Sequence, residues 1–249
     1  MKMVVEILKP TLLRYWQKYA DLTLPWLVNR PITLEQVFDG KVIYRRYTDK
    51  THTTLITINS IEEILTWAYR HTYSFHPYIC SPNQKAECWY VLDIDPNKHV
   101  KFSETKSFTH WVANYLIKKG FKIYIAFGGK NGFHIFIKLK TKNQQKVFEF
   151  SKNLSLDIVI TIWKNKEFPN VATLLTSRQE QNLLEAKIHR FDFSDFKKQI
   201  NLDTRILHRF ANIRSPYSIH PETGLASVML NVEDILHFKL EHARIEYLI

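Results

Sequence analysis

The sequence predicts an α+β fold, because segments with a helical spacing of apolar residues alternate with short β-rich runs along 249 residues. Apolar and aromatic residues make up 45% of the chain, which is enough for one large domain or for two small lobes that share a cleft. No internal repeat, low-complexity tract or linker rich in Gly, Ser or Pro divides it. We therefore expect a single domain over residues 1–249.

The first elements follow from local patterns. Apolar residues with helical spacing predict a helix over 11–28 that is broken near Pro25. The segment 32–59 holds the β-rich runs KVIYRRYT and TTLITI, which predict strands. Ser60, followed three residues later by Glu63, is typical of a capping box and predicts the start of a helix.

The later elements are predicted in the same way. Residues 76–78 and 81–83 are interpreted as a turn and a loop before a strand that carries Asp93. The remaining predicted elements are a helix from Ser103 to Gly120, strands over 122–127 and 132–139, a helix over 143–164, and strands over 187–193 and 200–206.

Two carboxylates follow an apolar and aromatic run. Asp93 and Asp95 precede Pro96, which ends any strand that they form. Side chains two apart lie on one face of a strand, so both carboxylates project together while Leu92 and Ile94 point into a core. The pair repels itself unless a cation lies between, and Mg²⁺ typically takes one or two protein carboxylates. Taken alone, the motif is more typical of a solvated strand end.

A glycine-rich basic loop, residues 128–132, joins two predicted strands and is followed by His134. Its glycines are typical of a hairpin connection that needs positive φ. Exposed backbone N–H groups and a lysine in such a loop also favour phosphate oxygens, although a lone histidine in a strand is more often structural. Asp203, in the last predicted strand, would complete a two-cation site, and its alternative is an ordinary strand-end aspartate.

The net charge indicates a polyanionic partner. The chain carries 35 Lys and Arg against 24 Asp and Glu, a formal charge of +11. Nucleic acid is favoured over membrane, because no basic amphipathic helix stands out and no apolar run approaches the roughly 20 residues of a spanning helix. The alternative is that the charge serves solubility alone.

The cysteines and the first residues bear on the compartment. Cys80 and Cys88 are too few for a four-cysteine zinc site and do not form a C-x-x-C pair. The start MKMVVEILKP lacks the apolar region and cleavage site of a signal peptide. We expect a cytoplasmic protein with reduced thiols and no structural zinc.

Together the motifs resemble the archaeo-eukaryotic primase superfamily, whose members carry D-x-D, a small-residue loop that ends in G-x-H, and a strand aspartate. Here these are Asp93-Ile94-Asp95, the loop from Gly128 to His134, and Asp203. Within the superfamily the chain is most similar to the polymerase domain of prokaryotic non-homologous end-joining ligases, stand-alone type. That likeness covers most of the chain and includes the segments LLRYWQKYADLTLPWLVNRPITL, INSIEEILTWAYRHTYSFHPY and Pro216-Tyr217-Ser218.

The resemblance implies a primase-polymerase fold, with two α/β lobes (about 1–85 and 86–249) whose mixed or antiparallel sheets surround a central catalytic cleft. It implies nucleotidyl transfer with two Mg²⁺ or Mn²⁺ ions held by Asp93, Asp95 and Asp203. Lys9 would hold a 5′-phosphate of the downstream strand, and a solvated surface charge is its alternative. The residues expected to bind the incoming NTP or dNTP are His76, Gly129, Lys130, Asn131, His134, Arg209, Ser218 and His220.

The leading hypothesis is a template-dependent polymerase that fills gaps and extends DNA ends in end joining, with a DNA ligase and an end-binding protein supplied separately. The alternatives are a primase or primase-polymerase that starts strands de novo, and a non-catalytic nucleic-acid-binding module. Gly128 stands where the family usually has serine, which leaves the ribose preference open. His220 replaces a usual arginine and is closer to replicative primases, whereas the absence of zinc-binding cysteines favours the end-joining branch.

Overall fold

The computed structural model describes residues 4–82, 85–175, 197–203 and 211–249. These residues form two β-sheets, each of which packs against helices. The fold is the α+β class that the sequence predicts. The helices are α1 (Lys9–Leu27), α2 (Ile61–Tyr69), α3 (Phe102–Lys118), α4 (Gln144–Lys164) and α5 (Ile245–Leu248), with a 3₁₀ turn at Leu240–Ala243. The strands are β1 (Ile32–Phe38), β2 (Lys41–Arg45), β3 (Thr72–Pro77), β4 (Trp89–Pro96), β5 (Ile123–Phe127), β6 (Phe133–Lys138), β7 (Ala172–Leu175), β8 (Gln199–Leu202) and β9 (Met229–Leu230).

The small sheet is antiparallel, with the order β2-β1-β3. One face is apolar: Leu34 of β1 and Phe75 of β3 pack with α1 and α2 in a common core. Because side chains alternate along a strand, Glu35, Ser74 and His76 point to the opposite face. The small sheet therefore presents a polar face away from its helices.

Strand β3 is the main departure from prediction in the small sheet. The histidine-proline stretch was expected to be a turn, but His76 and Pro77 end a strand. The free edge of β3 is covered by the segment 215–219, whose Ser215 and Ile219 N–H groups donate to the carbonyls of Phe75 and Tyr73. Local patterns do not reveal such pairing between distant segments. The run TTLITI, predicted as a strand, forms only isolated bridges.

The large sheet has the order β7-β8-β4-β6-β5-β9. Its strands are antiparallel except for the parallel pair of β7 and β8. Leu92 and Ile94 of β4 lie in a core with Ile135 of β6 and with α3 and α4, as the alternation predicts. Strand β7 lies between the predicted helix over 143–164 and the predicted strand over 187–193, where the sequence patterns predict no strand. The strand predicted over 187–193 lies outside the described residues.

The helices agree with their sequence signals, with small differences. Helix α1 continues through Pro25 to Leu27, because a proline in the last turn removes only one hydrogen bond. Ser60 and Glu63 form the predicted capping box of α2, with Ser60 Oγ accepting from the Glu63 N–H at 3.3 Å. The helix expected to open at Ser103 begins one residue earlier, at Phe102.

Aromatic packing and a buried arginine join the two sheets. Trp26 of α1 stacks on Trp89 of β4 with ring centroids 5.0 Å apart. Arg30 donates to the carbonyls of Tyr78 and Ile79, in the segment that leads from the small sheet to the large one. Residues from the C-terminal part of the chain, such as Ile219, Ala226 and Ile245, complete the core of the small sheet.

The expectation of reduced thiols is wrong in this structure. Cys80 and Cys88 form a disulfide with a Cα–Cα distance of 4.4 Å. The fold brings together the exit of β3 and the entry of β4, so two cysteines eight positions apart become neighbours, which their spacing alone does not indicate. No helix among the described residues is long and apolar enough to cross a membrane.

Candidate active site

Three predicted site residues form a row across the large sheet. Asp93 of β4 lies opposite His134 of β6, and Asp203 follows β8 on the other side. The Asp203 N–H donates to the Asp93 carbonyl at 2.9 Å, and Asp93 Oδ1 lies 3.4 Å from His134 Nε2. The sheet register therefore brings together residues that are 110 positions apart in the sequence.

Asp95 projects from the same face as Asp93, two residues further along β4, and is exposed. The oxygen donors and their position at one sheet end suit a hard divalent cation. Among the residues that the structure describes, however, no three His, Cys, Asp or Glu side chains converge into a metal-binding cluster. The backbone thus fits the predicted two-ion site, and ion binding itself stays a prediction.

The glycine loop, residues 128–132, joins β5 to β6 beside this row. The Gly128 N–H donates to the Gly132 carbonyl at 2.9 Å and closes the loop. A Cβ on Gly128 would lie 3.3 Å from His134 Nε2, which leaves no ready space for the usual serine. Gly129 has a φ of 91°, the left-handed region, and Asn131 is half-buried in the same loop.

A tight C-terminal turn, residues 220–225, packs against the glycine loop. His220 is the point of closest approach, because a Cβ on Gly129 would lie 2.8 Å from the His220 Cβ. Thr223 Oγ1 donates to the Gly129 carbonyl at 2.5 Å. Lys130 Nζ forms an ion pair with Glu222 Oε2 at 2.9 Å.

A buried ionic cluster faces the loop from the small sheet, and the sequence patterns did not reveal it. Glu35 accepts hydrogen bonds from Tyr44 Oη at 2.8 Å and Arg214 Nη2 at 2.9 Å, and its Oε2 lies 3.1 Å from His76 Nε2. Arg214 also donates through Nη1 to the Gly128 carbonyl at 3.1 Å. Arg214 therefore links the small sheet to the glycine loop. The only local signal is a carboxylate within a β-rich run.

Burial disfavours the charged form of the three histidines around the glycine loop. Burial, reinforced by the charge of Arg214, lowers the pKa of His134 to about 3 and that of His220 to about 4. Burial also lowers the pKa of His76. Burial alone would raise the pKa of Glu35, but the hydrogen bond from His76 and the charge of Arg214 outweigh it and hold that pKa well below its usual range. Glu35 is therefore ionised.

The remaining predicted residues lie in different environments. Ser218 is fully buried, and its Oγ contacts the Phe75 N–H and Ser215 Oγ, so its side chain supports β3. Lys9 begins α1, with Nζ 3.2 Å from the ring centroid of Tyr69. Arg209 lies outside the described residues. Their assigned roles in nucleotide and DNA binding stay predictions.

His134 has one buried ring nitrogen that is not hydrogen-bonded within the described part of the chain. His134 is 94% buried, since its relative exposure is 6%, and its Nδ1 has no hydrogen-bond partner among the described residues. A buried polar atom without a partner costs about 1–3 kcal/mol unless a ligand or water satisfies it. The other ring nitrogen, Nε2, is the one that lies beside Asp93 and the glycine loop.

Comparison with known proteins agrees with this geometry. The family model of the LigD primase-polymerase domain matches residues 8–182. The solved structure of the polymerase domain from Mycobacterium tuberculosis ligase D in complex with DNA is similar, with a TM-score of 0.70 and 15% sequence identity. The match covers 91% of this chain and 82% of that chain. At this identity the likeness shows the fold alone. No curated protein gives a significant match.

Proposed function

Because the chain belongs to the LigD primase-polymerase domain family, we propose that it is a template-dependent nucleotidyltransferase that fills gaps and extends DNA ends in double-strand break repair by non-homologous end joining. The observation that carries the proposal is the row of Asp203, Asp93 and His134 across three adjacent strands, beside a glycine loop. A DNA ligase and an end-binding protein would act as separate partners.

The chemistry would use divalent cations. Asp93, Asp95 and Asp203 would hold two Mg²⁺ or Mn²⁺ ions, which lower the pKa of a primer 3′-hydroxyl and neutralise the leaving pyrophosphate when they are bound. The residues of the chain position the substrate. His134 Nε2, beside Asp93 and the glycine loop, would donate a hydrogen bond to a phosphate oxygen in the tautomer that carries its proton there. Lys130, exposed on the glycine loop, would add a positive charge.

DNA is the proposed macromolecular substrate. The net charge of +11 supports binding to phosphates, and the similar ligase D domain is described in complex with DNA. Binding of this kind releases counterions, so its log–log slope against salt should be roughly −0.7 to −0.9 per phosphate contacted. A flat salt titration would contradict a phosphate-dominated interface.

Primer extension tests the proposed reaction. The substrates would be an unprimed single strand, a primed overhang, and a short gap with or without a downstream 5′-phosphate, each with Mn²⁺ and either NTPs or dNTPs. Asp95→Ala should abolish extension while DNA affinity is retained. Asp21→Ala, which removes an exposed carboxylate from α1, is the matched control. Unchanged extension by Asp95→Ala would refute the site assignment.

The substrates that the protein extends distinguish a role in repair from a role in priming. Gap filling that a 5′-phosphate stimulates would support the end-joining role, and de novo products on the unprimed strand would instead support a primase. Lys9→Gln should remove the stimulation without slowing extension of the primed overhang. Lys18→Gln is its control, because Lys18 lies on the same helix and also approaches an aromatic ring, with Nζ 5.8 Å from the centroid of Tyr19.

A further inference from the structure

The C-terminal turn, residues 220–225, holds the glycine loop from one side. Thr223 bonds the Gly129 carbonyl, and His220 leaves no room for a side chain at Gly129. The Glu222 N–H donates to His220 Nδ1 at 3.2 Å, so the backbone of this turn is fixed next to the loop. A side chain on this turn can therefore act directly on the loop.

Glu222 is the acidic side chain of that turn, and it is paired with the lysine of the glycine loop. Its Oε2 lies 2.9 Å from Lys130 Nζ, and its side chain is 21% exposed against 52% for Lys130. Its charge also reaches Tyr44 of the small sheet: burial and Glu35 raise the pKa of Tyr44 to about 12, and Glu222 acts in the same direction. The Glu222 carboxylate is thus in contact with the loop cation, and its charge acts toward the small sheet.

We propose that Glu222 is a competing counterion that sets the affinity of the site for the triphosphate of the incoming nucleotide. The proposal rests on the proposed function, in which Lys130 contacts that triphosphate. To make this contact, Lys130 must exchange the carboxylate of Glu222 for a phosphate oxygen. Glu222 then lies next to the negative charge that has arrived, so it opposes nucleotide binding in both steps.

Substitution by glutamine tests the charge and keeps the shape. Exposed ion pairs contribute little, so Glu222→Gln should lower the nucleotide KM by about 2- to 5-fold and leave kcat unchanged. Glu87→Gln is the matched control, because Glu87 Oε2 pairs with Lys138 Nζ at 3.2 Å; that lysine is as exposed as Lys130, and the carboxylate is more exposed than that of Glu222. Added salt should reduce the difference in nucleotide KM between Glu222→Gln and the unsubstituted protein, because salt screens exposed charges.

A double-mutant cycle identifies the cation involved. In a Lys130→Gln background, Glu222→Gln should have a smaller effect on KM, because no ion pair remains to be exchanged. An equal effect in both backgrounds would show that Glu222 does not act through Lys130. An unchanged or raised KM in Glu222→Gln would overturn the proposal, and a raised KM would show that Glu222 positions Lys130 instead.

Equilibrium binding separates this proposal from the proposed function. A fluorescent nucleoside triphosphate with Mg²⁺ is titrated against the full chain, and Glu222→Gln should bind it about 2- to 5-fold more tightly. If Glu222→Gln binds the nucleotide more tightly but no variant extends a primer, the result counts against the proposed function and not against the counterion role. Equal nucleotide affinity of Glu222→Gln and the unsubstituted protein would overturn the counterion role, whether or not extension occurs.

Discussion

Replacing Gly129 with alanine tests whether the contact between the glycine loop and the C-terminal turn maintains the proposed nucleotide site. The new Cβ would lie 2.8 Å from the His220 Cβ and 3.3 Å from the Leu225 carbonyl oxygen. Favourable carbon contacts are about 3.5–4.0 Å, so the loop and the turn must separate by roughly 1 Å. The φ of 91° at Gly129 adds a backbone cost of about 1–2 kcal/mol for alanine.

Gly120 supplies the matched control. Its φ is 85°, and a Cβ there would meet no atom within 4 Å, so Gly120→Ala has the backbone cost alone. Overpacking adds roughly 1–3 kcal/mol to Gly129→Ala only. Each kcal/mol shifts the Tm of a chain of this size by about 2–4 °C. By thermal unfolding, Gly129→Ala should therefore melt roughly 2–12 °C below Gly120→Ala.

The same pair of variants tests function in the primer-extension assay. A displacement of about 1 Å at a site that positions substrate reduces kcat/KM by up to about 10²-fold, so Gly129→Ala should lose extension at a temperature where it is folded. Gly120→Ala should retain it, because Gly120 follows α3 and not the glycine loop. Equal Tm values for the two variants, with unchanged kinetics in Gly129→Ala, would refute the packing argument.

Three further predictions concern stability. Glu35→Ala leaves its guanidinium and imidazole partners buried without a carboxylate, so the free energy of unfolding in urea should fall by about 3–5 kcal/mol; a loss below about 1 kcal/mol would contradict this. Burial lowers the pKa of His220 to about 4 and also lowers that of His76, so the unfolded chain binds more protons below pH ~6.5. The Tm should therefore fall as pH drops from 7 to 5, and it should fall less steeply in His220→Gln. A Tm that does not change over this pH range would contradict the lowered pKa values of these histidines. Reducing the Cys80–Cys88 disulfide, with a separation of 8 residues, should cost about 2.5 kcal/mol by the chain-entropy model. A thiol reductant should then lower the Tm, but not in Cys80→Ser.

Most of the row of candidate site residues could be predicted from the sequence, because Asp93 and His134 lie on strands with clear patterns. The alternation around Asp93 and the glycine loop before His134 specify which face each side chain takes. Local patterns do not place Asp203, because over 100 residues separate β8 from β4, its neighbour in the sheet. Only the order of the three motifs in the resembled superfamily indicated that Asp203 belongs with the other two.

The ionic cluster was out of reach for a physical reason. Glu35 and Arg214 are 179 positions apart, and neither has a local pattern that distinguishes it from a surface charge. Their partnership depends on the segment 215–219 covering the edge of β3, which is a tertiary contact. The disulfide could not be predicted for the same reason. The cysteine count and spacing do not show that the end of β3 and the start of β4 lie close together.

The cations beside the glycine loop are paired with carboxylates, which the net charge alone does not indicate. Among the described residues beside the glycine loop, the two permanent cations are Lys130 and Arg214, and each is paired with a glutamate, Glu222 and Glu35 respectively. The histidines of the cleft are neutral because they are buried. In the described part of the chain, both Lys130 and Arg214 are therefore already compensated by a carboxylate. In the proposed mechanism, divalent cations held by Asp93, Asp95 and Asp203 would supply the positive charge that these paired side chains do not.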